Sequence, residues 1–439
     1  MANNNSNGRA VAIVACIFLY GMISFVTNLA APIGNVWKLH LTGGSNMLAM
    51  MGNMMNFLAY LFMGIPSGNL LTKVGYKKTA LIAIAFGFFG VLIQFLSGQV
   101  LTDSFIGGLP ANWFVYLLGA FVAGISVCML NTVVNPMLNL LGGGGNRGNQ
   151  LNLIGGTFNS LMGTLTPMLV GALIGSVTKD TAITDVNLVL YMAMGVFAAT
   201  FIILSFVPIQ DPENSSNEHT VFEHSPWEFR HFKFGVFAIF VYVGVEVGIP
   251  GTLNLYLADN GEAGAGLDPA TSATIAGFVA ATYWFLMLCG RFISSFIASK
   301  VSSRQMMVVV TAVAFFLVLI AMFLPKTATG TMPVFTGSSF NTVQVPLSAI
   351  LLVFCGLCTS VMWPSIFNLA TEGLGKYTAK ASGIFMMMVV GGGLFPLIQN
   401  AIADAAGFMI SYIVPLLSIA FMFCYAAFLS KNVNKDIPV

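Results

Sequence analysis

Gly68-Asn-Leu-Leu-Thr-Lys-Val-Gly-Tyr-Lys-Lys78 ends one long apolar run, and Gly290-Arg-Phe-Ile-Ser-Ser-Phe-Ile-Ala-Ser-Lys300 ends another 222 residues further on. Each places a glycine in an apolar helix just before a short basic turn. Glycine lets neighbouring helices approach closely, and cations suit a helix C-terminus. Tyr20 and Tyr242 share the offset of 222, and Asn135-Pro136 and Trp363-Pro364 lie 228 apart, each soon followed by Asn-Leu and a glycine-rich turn. The chain therefore reads as two halves built on one pattern.

Outward from these turns the sequence is apolar nearly throughout. Of 439 residues, 57% are hydrophobic and 7% charged, against about 25% charged in an average soluble domain. So few charges leave a soluble surface uncovered, and disordered chains are polar where this one is not. A net charge of +2 without a basic patch offers nucleic acid no electrostatic footprint. What remains is an all-α polytopic membrane protein.

Crossing a bilayer takes about 20 apolar residues. Twelve runs qualify: 11–35, 47–71, 78–99, 113–141, 150–177, 185–208, 233–257, 270–299, 304–325, 346–371, 378–403 and 407–430. They form an N-terminal six-helix bundle (1–208), a cytoplasmic linker (209–232) and a C-terminal six-helix bundle (233–439). The strict alternation of a membrane barrel is missing. The polar start Met-Ala-Asn-Asn-Asn-Ser-Asn-Gly-Arg9 reads as a tail before a retained helix rather than a cleaved signal. With the N-terminus cytoplasmic, 14 of the 17 Lys and Arg fall inside, and only Lys38, Lys179 and Lys326 outside. The positive-inside rule thus puts both termini in the cytoplasm, as an even number of spans requires. All six cysteines fall in spans, so Cys355-x-x-Cys358 reads as packing rather than a metal or redox site. The linker holds His219, His224 and His231 without tight ligand spacing. No metal and no cofactor are expected.

Six-helix halves related by internal repetition mark a secondary transporter, with its substrate between the halves near the midplane. The glycine and basic turn after spans two and eight are the local signature of the major facilitator superfamily, which this chain resembles. Thr72 stands where most of that superfamily has Asp, and the branch that typically lacks this Asp is the fucose/glucose/galactose symporter family. The chain resembles that family along nearly its whole length. The matches are Phe18-Leu-Tyr-Gly21 with Pro32, Gly64-Ile-Pro-Ser-Gly68, Asn131-Thr-Val-Val-Asn-Pro136, Leu151-Asn-Leu153 and Phe158-Asn-Ser160. In the second half they are Tyr242-Val-Gly-Val-Glu-Val-Gly248, Tyr283-Trp284, Gly290-Arg-Phe292, Met362-Trp-Pro-Ser-Ile-Phe367 and Gly391-Gly-Gly393 with Pro396-Leu-Ile-Gln399. Glu246, Tyr283-Trp284 and Trp363-Pro364 look closer to the glucose/galactose side.

The resemblance implies inward transport of a monosaccharide (hexose, deoxyhexose or amino sugar) by alternating access, driven by an ion gradient across a bacterial inner membrane. Two departures bear on coupling. The fucose branch has Asp at the place of Asn28 and Glu at the place of Asn131, and these amides carry no proton. A sugar uniporter and a Na⁺-coupled symporter are therefore the alternatives to H⁺ coupling.

Glu246 is the one carboxylate deep in a span. Its cost there marks a pathway or relay, as a proton carrier, a Na⁺ ligand or a sugar ligand; the alternative is a structural hydrogen bond. Asn53 and Asn56, Asn131 and Asn135, and Asn152 and Asn159 each share a helix face. Amides donate and accept, as sugar hydroxyls do, although helix–helix bonding is the competing role. Asn254 and Gln399 join the set by family position, as does Tyr283. Trp284 and Trp363 lie interior to their spans, where a sugar's C–H face can stack, or where they simply pack. Arg291 and Glu372 are expected at the gate, Glu372 by pairing with a basic residue. The expected partners are the sugar, H⁺ or Na⁺, and lipid, with one chain sufficient as a monomer. An enzyme would need grouped His, Cys or carboxylates in the spans. A membrane sugar sensor would need a large cytoplasmic domain, where the longest inner loop is 209–232.

Overall fold

The computed structural model describes residues 2–141, 145–174, 181–206, 225–297, 301–335, 339–374 and 378–434. In the first half, α1 is Ala2–His40, α2 Met51–Val74, α3 Tyr76–Leu96, α4 Ala111–Leu141, α5 Gly145–Ile174 and α6 Asn187–Phe206. In the second, α7 is Arg230–Ala258, α8 Ser272–Ile297, α9 Ser303–Phe323, α10 Leu347–Thr359, α11 Met362–Thr371, α12 Thr378–Met388, α13 Gly391–Ala406 and α14 Ile413–Cys424. Helices α10 and α11 together make span ten, and α12 and α13 span eleven.

Among the described residues, eleven helical stretches are long and apolar enough to cross a membrane. The further helix is α2, whose 24 residues include Asn53, Asn56 and Asn69. Its amides Asn53 and Asn56 are buried within the protein, so the polarity that weakens its membrane signal faces inward.

Two of the helix breaks fall four residues before a proline. A proline has no N–H for the carbonyl four residues back, and its ring crowds that carbonyl. Pro364 acts on Ser360, where α10 gives way to α11, and Pro415 acts on Ser411, where the short helix Phe408–Ser411 gives way to α14. The break between α12 and α13 falls at Val389 and Val390, beside Gly391-Gly-Gly393, where helix propensity is poor.

Two features differ from the sequence expectation. α7 begins at Arg230 after a 3₁₀ turn Pro226–Glu228, so the linker ends earlier than residue 232, and His231 is a buried helical residue bonded to the Glu372 carbonyl at 2.9 Å. Residues 209–224 of that linker, with His219 and His224, lie outside the described residues, as do the side chains of Thr72 and Asn152. Secondly, strands appear in the loops on one face: β1 (Phe105–Ile106) with β2 (Leu109–Pro110), and β3 (Thr329–Phe335) with β4 (Phe340–Pro346), antiparallel. In the longer hairpin Val334 and Val345 are buried while Thr331, Thr342 and Gln344 are exposed, the two-residue alternation of a strand.

Within the first half, α4 packs on α1, α2 and α3, α5 on α1, and α6 on α3. Within the second, α7 packs on α8, α11, α13 and α14, and α10 on α8 and α9. The halves meet where α5 packs on α8, α2 on α12 and α13, and α1 on α7. One face carries both ends of the chain: Arg9 Nε donates to the Leu141 carbonyl, and Asn434 Oδ1 accepts from the Arg230 backbone N–H at 2.9 Å. It is termed the terminal face, and the other, which carries both hairpins, the distal face.

Candidate functional site

Between the halves lies a narrow cavity. Five helices of both halves and the residue ahead of α2 wall it: Asn28 and Pro32 from α1, Met50 and Asn53 at the start of α2, Pro167 from α5, Val247, Pro250 and Asn254 from α7, and Trp284 from α8. No ionisable side chain is among the lining residues.

Each polar group in this wall is positioned by a neighbour. Asn28 Nδ2 donates to the Ser24 carbonyl at 2.9 Å, one turn back on α1. Asn53 Nδ2 donates across a seam to the Gly392 carbonyl at 2.9 Å. Asn254 Oδ1 accepts from Asn35 Nδ2 at 2.6 Å, tying α7 to α1. Trp284 is buried, and it sits against Gly163 of α5, where an added Cβ would lie 3.2 Å from the indole ring.

Three prolines of the wall add acceptors. Pro32, Pro167 and Pro250 each withhold an N–H from the carbonyl four residues earlier, those of Asn28, Gly163 and Glu246. In a membrane interior such carbonyls seek other donors. With the amides they suit a neutral, hydroxyl-rich ligand.

A second cluster lies beside the cavity toward the terminal face. Tyr20 donates to Asn135 Oδ1 across α1 and α4, and Asn135 Nδ2 donates to the Asn131 carbonyl at 2.9 Å. Asn131 Nδ2 donates to Tyr60 Oη at 2.7 Å, and Asn159 Nδ2 to the Tyr20 carbonyl at 2.9 Å. On the other half, Tyr242 Oη lies 2.9 Å from Glu246 Oε1 and 3.2 Å from the Thr359 carbonyl, while Tyr283 Oη lies 2.9 Å from Thr359 Oγ1. Arg291 spans the gap: Nη2 is 3.6 Å from Glu246 Oε1, and Nη1 donates to Ser160 Oγ at 2.7 Å and the Gly156 carbonyl at 3.2 Å on α5.

The residues singled out from sequence thus separate into layers. Asn28, Asn53, Asn254 and Trp284 line the cavity. Asn131, Asn135, Asn159, Glu246, Tyr283 and Arg291 belong to the second cluster, and the Trp363 ring packs 6.1 Å from that of Tyr242. Gln399 is buried on α13, with Nε2 unpartnered among the described residues and its side chain against Gly248. Glu372 meets His231 through its backbone carbonyl, and its side chain is exposed. No metal-capable group of His, Cys, Asp and Glu occurs among the described residues, and the six cysteines are free.

Sequence reading missed the distal contacts. Lys38 of α1 pairs with Asp259 after α7 at 2.5 Å. Asp404 of α13 accepts from Ser45 Oγ at 2.6 Å and from the backbone N–H groups of Asn46 and Met47 at 2.6 and 2.9 Å. Asn35 was equally unremarkable in one dimension, an amide one helical turn beyond Pro32 being the available signal, and Ser160 stood out only as part of the stretch Phe158-Asn-Ser160.

A family model described as Major Facilitator Superfamily matches residues 13–396. Among curated relatives, a glucose/galactose transporter of Brucella abortus is 29% identical over 98% of this chain and 96% of its own length. A putative glucose/galactose transporter of Helicobacter pylori is 29% identical over 94% of this chain and 95% of its own. The L-fucose-proton symporter of Escherichia coli is 23% identical over 86% and 84%. Among solved structures, that of a variant of the E. coli fucose:proton symporter FucP covers 97% of this chain and 100% of its own, with TM-score 0.65 and 18% identity. An inward-facing bacterial homologue of the human lysosomal transporter Spinster covers 96% of each chain, with TM-score 0.62 and 13% identity. These structural likenesses concern the fold.

Proposed function

The chain belongs to the Major Facilitator Superfamily, and from that premise we propose that it imports a monosaccharide by alternating access, coupled to H⁺ through Glu246. The observation that carries this reading is the cavity shared by both halves, walled by Asn28, Asn53, Asn254 and Trp284, beside a carboxylate that faces an arginine. Neutral amides exchange hydrogen bonds with sugar hydroxyls, and an indole face covers the apolar side of a pyranose ring. The relatives' printed names, glucose/galactose transporter and L-fucose-proton symporter, support the same substrate class.

Asn28, Asn53, Asn254 and Trp284 are the proposed sugar contacts. Asn131, Asn135, Asn159, Tyr283, Trp363 and Gln399 are proposed to reach the sugar as it leaves, and Arg291 and Glu372 to act at the gate. The halves are residues 1–208 and 230–439, acting within one monomer. The protein is proposed to lie in a bacterial inner membrane with the terminal face in the cytoplasm, as the distribution of 14 of 17 Lys and Arg supports.

The test is uptake into proteoliposomes with an inside-negative potential, using labelled glucose, galactose, fucose, mannose and N-acetylglucosamine under H⁺ or Na⁺ gradients. One charge across about 100 mV is worth about 2.3 kcal/mol, or about 50-fold accumulation. The wild type is expected to accumulate one sugar with H⁺, and Glu246→Gln only to equilibrate it. Accumulation driven by Na⁺ alone, or equilibration by the wild type, would replace this reading with Na⁺ symport or uniport. The neutral Asn28 in the cavity wall is the observation behind the uniport alternative.

A further inference from the structure

The loop between α3 and α4 reads Val100-Leu-Thr-Asp-Ser-Phe-Ile-Gly-Gly-Leu109. A loop tip in water is ordinarily polar, with small residues where the backbone turns. Here large apolar side chains stand outermost: Val100 is 40% exposed, Leu101 53%, Phe105 68% and Ile106 57%. Gly107 and Gly108, at φ 60° and 82°, make the tight turn that pairs Phe105 with Pro110 and Ile106 with Leu109. Among the described residues Leu101 is the one non-glycine with a positive φ, 57°. Glycine or asparagine would hold that conformation with less strain, so the leucine is kept there at a cost to the backbone.

Successive residues of a strand point to opposite faces. Phe105 and Ile106 are neighbours and both are exposed, so neither side chain of β1 is covered by the protein. A protein docking on one face of this ribbon would leave the other apolar side chain in water. An apolar solvent covers both at once. The outward apolar surface of the bundle runs into the loop from either side. Leu96 at the end of α3 and Phe89 two turns earlier are exposed, as are Phe114 and Leu118 one turn apart near the start of α4. The Val100 N–H donates to the Leu96 carbonyl at 3.0 Å and the Ala111 N–H to the Ser104 carbonyl at 2.8 Å, which fold the loop against these helix ends.

We propose that the β1–β2 hairpin is a lipid anchor, with Val100, Leu101, Phe105 and Ile106 immersed at the acyl-chain boundary of the distal leaflet and Thr102, Asp103 and Ser104 between them at the headgroups. Removing such apolar area from water is favourable in proportion to its extent, which offsets the strain at Leu101. The second half supplies the contrast. Its loop between the corresponding helices, α9 and α10, carries β3 and β4, whose exposed side chains include Thr329, Thr331, Asn341, Thr342 and Gln344. The exposed aromatic there, Phe340, has a protein neighbour in the Phe278 ring at 6.0 Å. That hairpin stands in water, and the anchor belongs to the first half. The inference rests on the chain being an integral membrane protein and on no property of its substrate or coupling ion.

Tryptophans added one at a time to the full-length protein in lipid nanodiscs test it, each read against the parent with its five native tryptophans. Iodide quenches from water, and chain-brominated phosphatidylcholine quenches from within the leaflet. Phe105→Trp and Ile106→Trp are expected to emit at shorter wavelength than Thr342→Trp, to be quenched by bromine and to lose iodide quenching. Thr342→Trp shows the reverse. In a Val100→Trp reporter, adding Phe105→Ser and Ile106→Ser is expected to restore iodide quenching at an unchanged melting temperature, since all three positions are exposed. Iodide quenching of Phe105→Trp and Ile106→Trp equal to that of Thr342→Trp overturns the anchor, as does a Val100→Trp reporter that the serines leave unchanged. Bromine quenching of one of the neighbouring pair alone overturns it too, because immersion requires both faces. Shielding from both quenchers is equally contrary, and a disulfide-linked dimer of Ile106→Cys would then assign the surface to a second copy of the chain.

Discussion

Asn35 Nδ2 donates to Asn254 Oδ1 at 2.6 Å, joining α1 to α7 on the distal side of the cavity that Asn254 itself lines. A wall residue is thereby also part of a closure. Both amides are buried, so each supplies the other's hydrogen bond where water does not. Under the proposed function, a sugar hydroxyl that engages Asn254 would compete with or complete this bond, giving the substrate a direct influence on the α1–α7 contact.

Asn35→Ala removes the tie and leaves the cavity wall intact. Interhelical hydrogen bonds in membranes contribute about 0.6–1.7 kcal/mol, so the balance between closed and open distal faces shifts about three- to eighteen-fold. Labelling of a cysteine placed at Met50 by an impermeant thiol reagent is expected to speed up by that factor. Equal labelling rates would mean that the bond contributes nothing to closure.

Asp404→Ala tests the distal latch more strongly, because one carboxylate there accepts from Ser45 and from two backbone N–H groups ahead of α2. Charge-assisted bonds contribute about 1.5–3 kcal/mol when buried and less near a surface. The expected outcome is a loss of about 1 kcal/mol from the closed distal state, read as faster labelling at the same cysteine. Asp404→Asn should recover part of it, since its carbonyl oxygen still accepts.

Trp284→Ala should weaken sugar binding at least about tenfold, the lower end of what covering an aromatic face contributes. Trp284→Phe, which keeps an apolar ring, should lose less. Binding by calorimetry or fluorescence separates the two variants, and equal affinity of Trp284→Ala and wild type would remove the indole from the site.

Gly277→Val probes the α5–α8 seam. An added Cβ at Gly277 would stand 2.4 Å from the Pro167 carbonyl and 3.3 Å from Gly171 Cα. Neither backbone atom can yield as a flexible side chain does, so the helices must separate at a cost of about 1–3 kcal/mol. A lower melting temperature and a distal face held open are expected, with retained uptake kinetics as the contrary result.

Much of the architecture was legible in one dimension because a membrane admits so few solutions. A helix satisfies its own backbone, and about 20 apolar residues span the core. Apolar length therefore located the spans, and the echo of Gly68–Lys78 in Gly290–Lys300 revealed two halves. The helix breaks at Ser360 and Ser411, each four residues before a proline, were not read from the sequence, because Pro32, Pro66, Pro167, Pro250 and Pro396 sit inside continuous helices. The hairpin Thr329–Phe335 with Phe340–Pro346 was not noticed, because its period-two pattern is short and sits between strongly apolar runs.

The site was legible only as residue types. Asn28, Asn53, Asn254 and Trp284 face one cavity, whereas Asn131, Asn135 and Asn159, equally polar and equally mid-span, bond to tyrosines and to one another outside its wall. Nothing in the sequence separates the two groups, because a buried amide costs the same wherever it finds a partner. Likewise, the sequence by itself determined that Glu246 needs a counterpart, since a lone carboxylate in an apolar span is unfavourable. Only the tertiary structure decided that the counterpart is Arg291, 45 residues away on α8 and fastened at its other end to Ser160 of the opposite half. The physical reason is range. Span, turn and helix break follow from neighbours along the chain. A partner across the bundle is set by how two glycine-lined helices approach, and that distance is not recorded locally in either one.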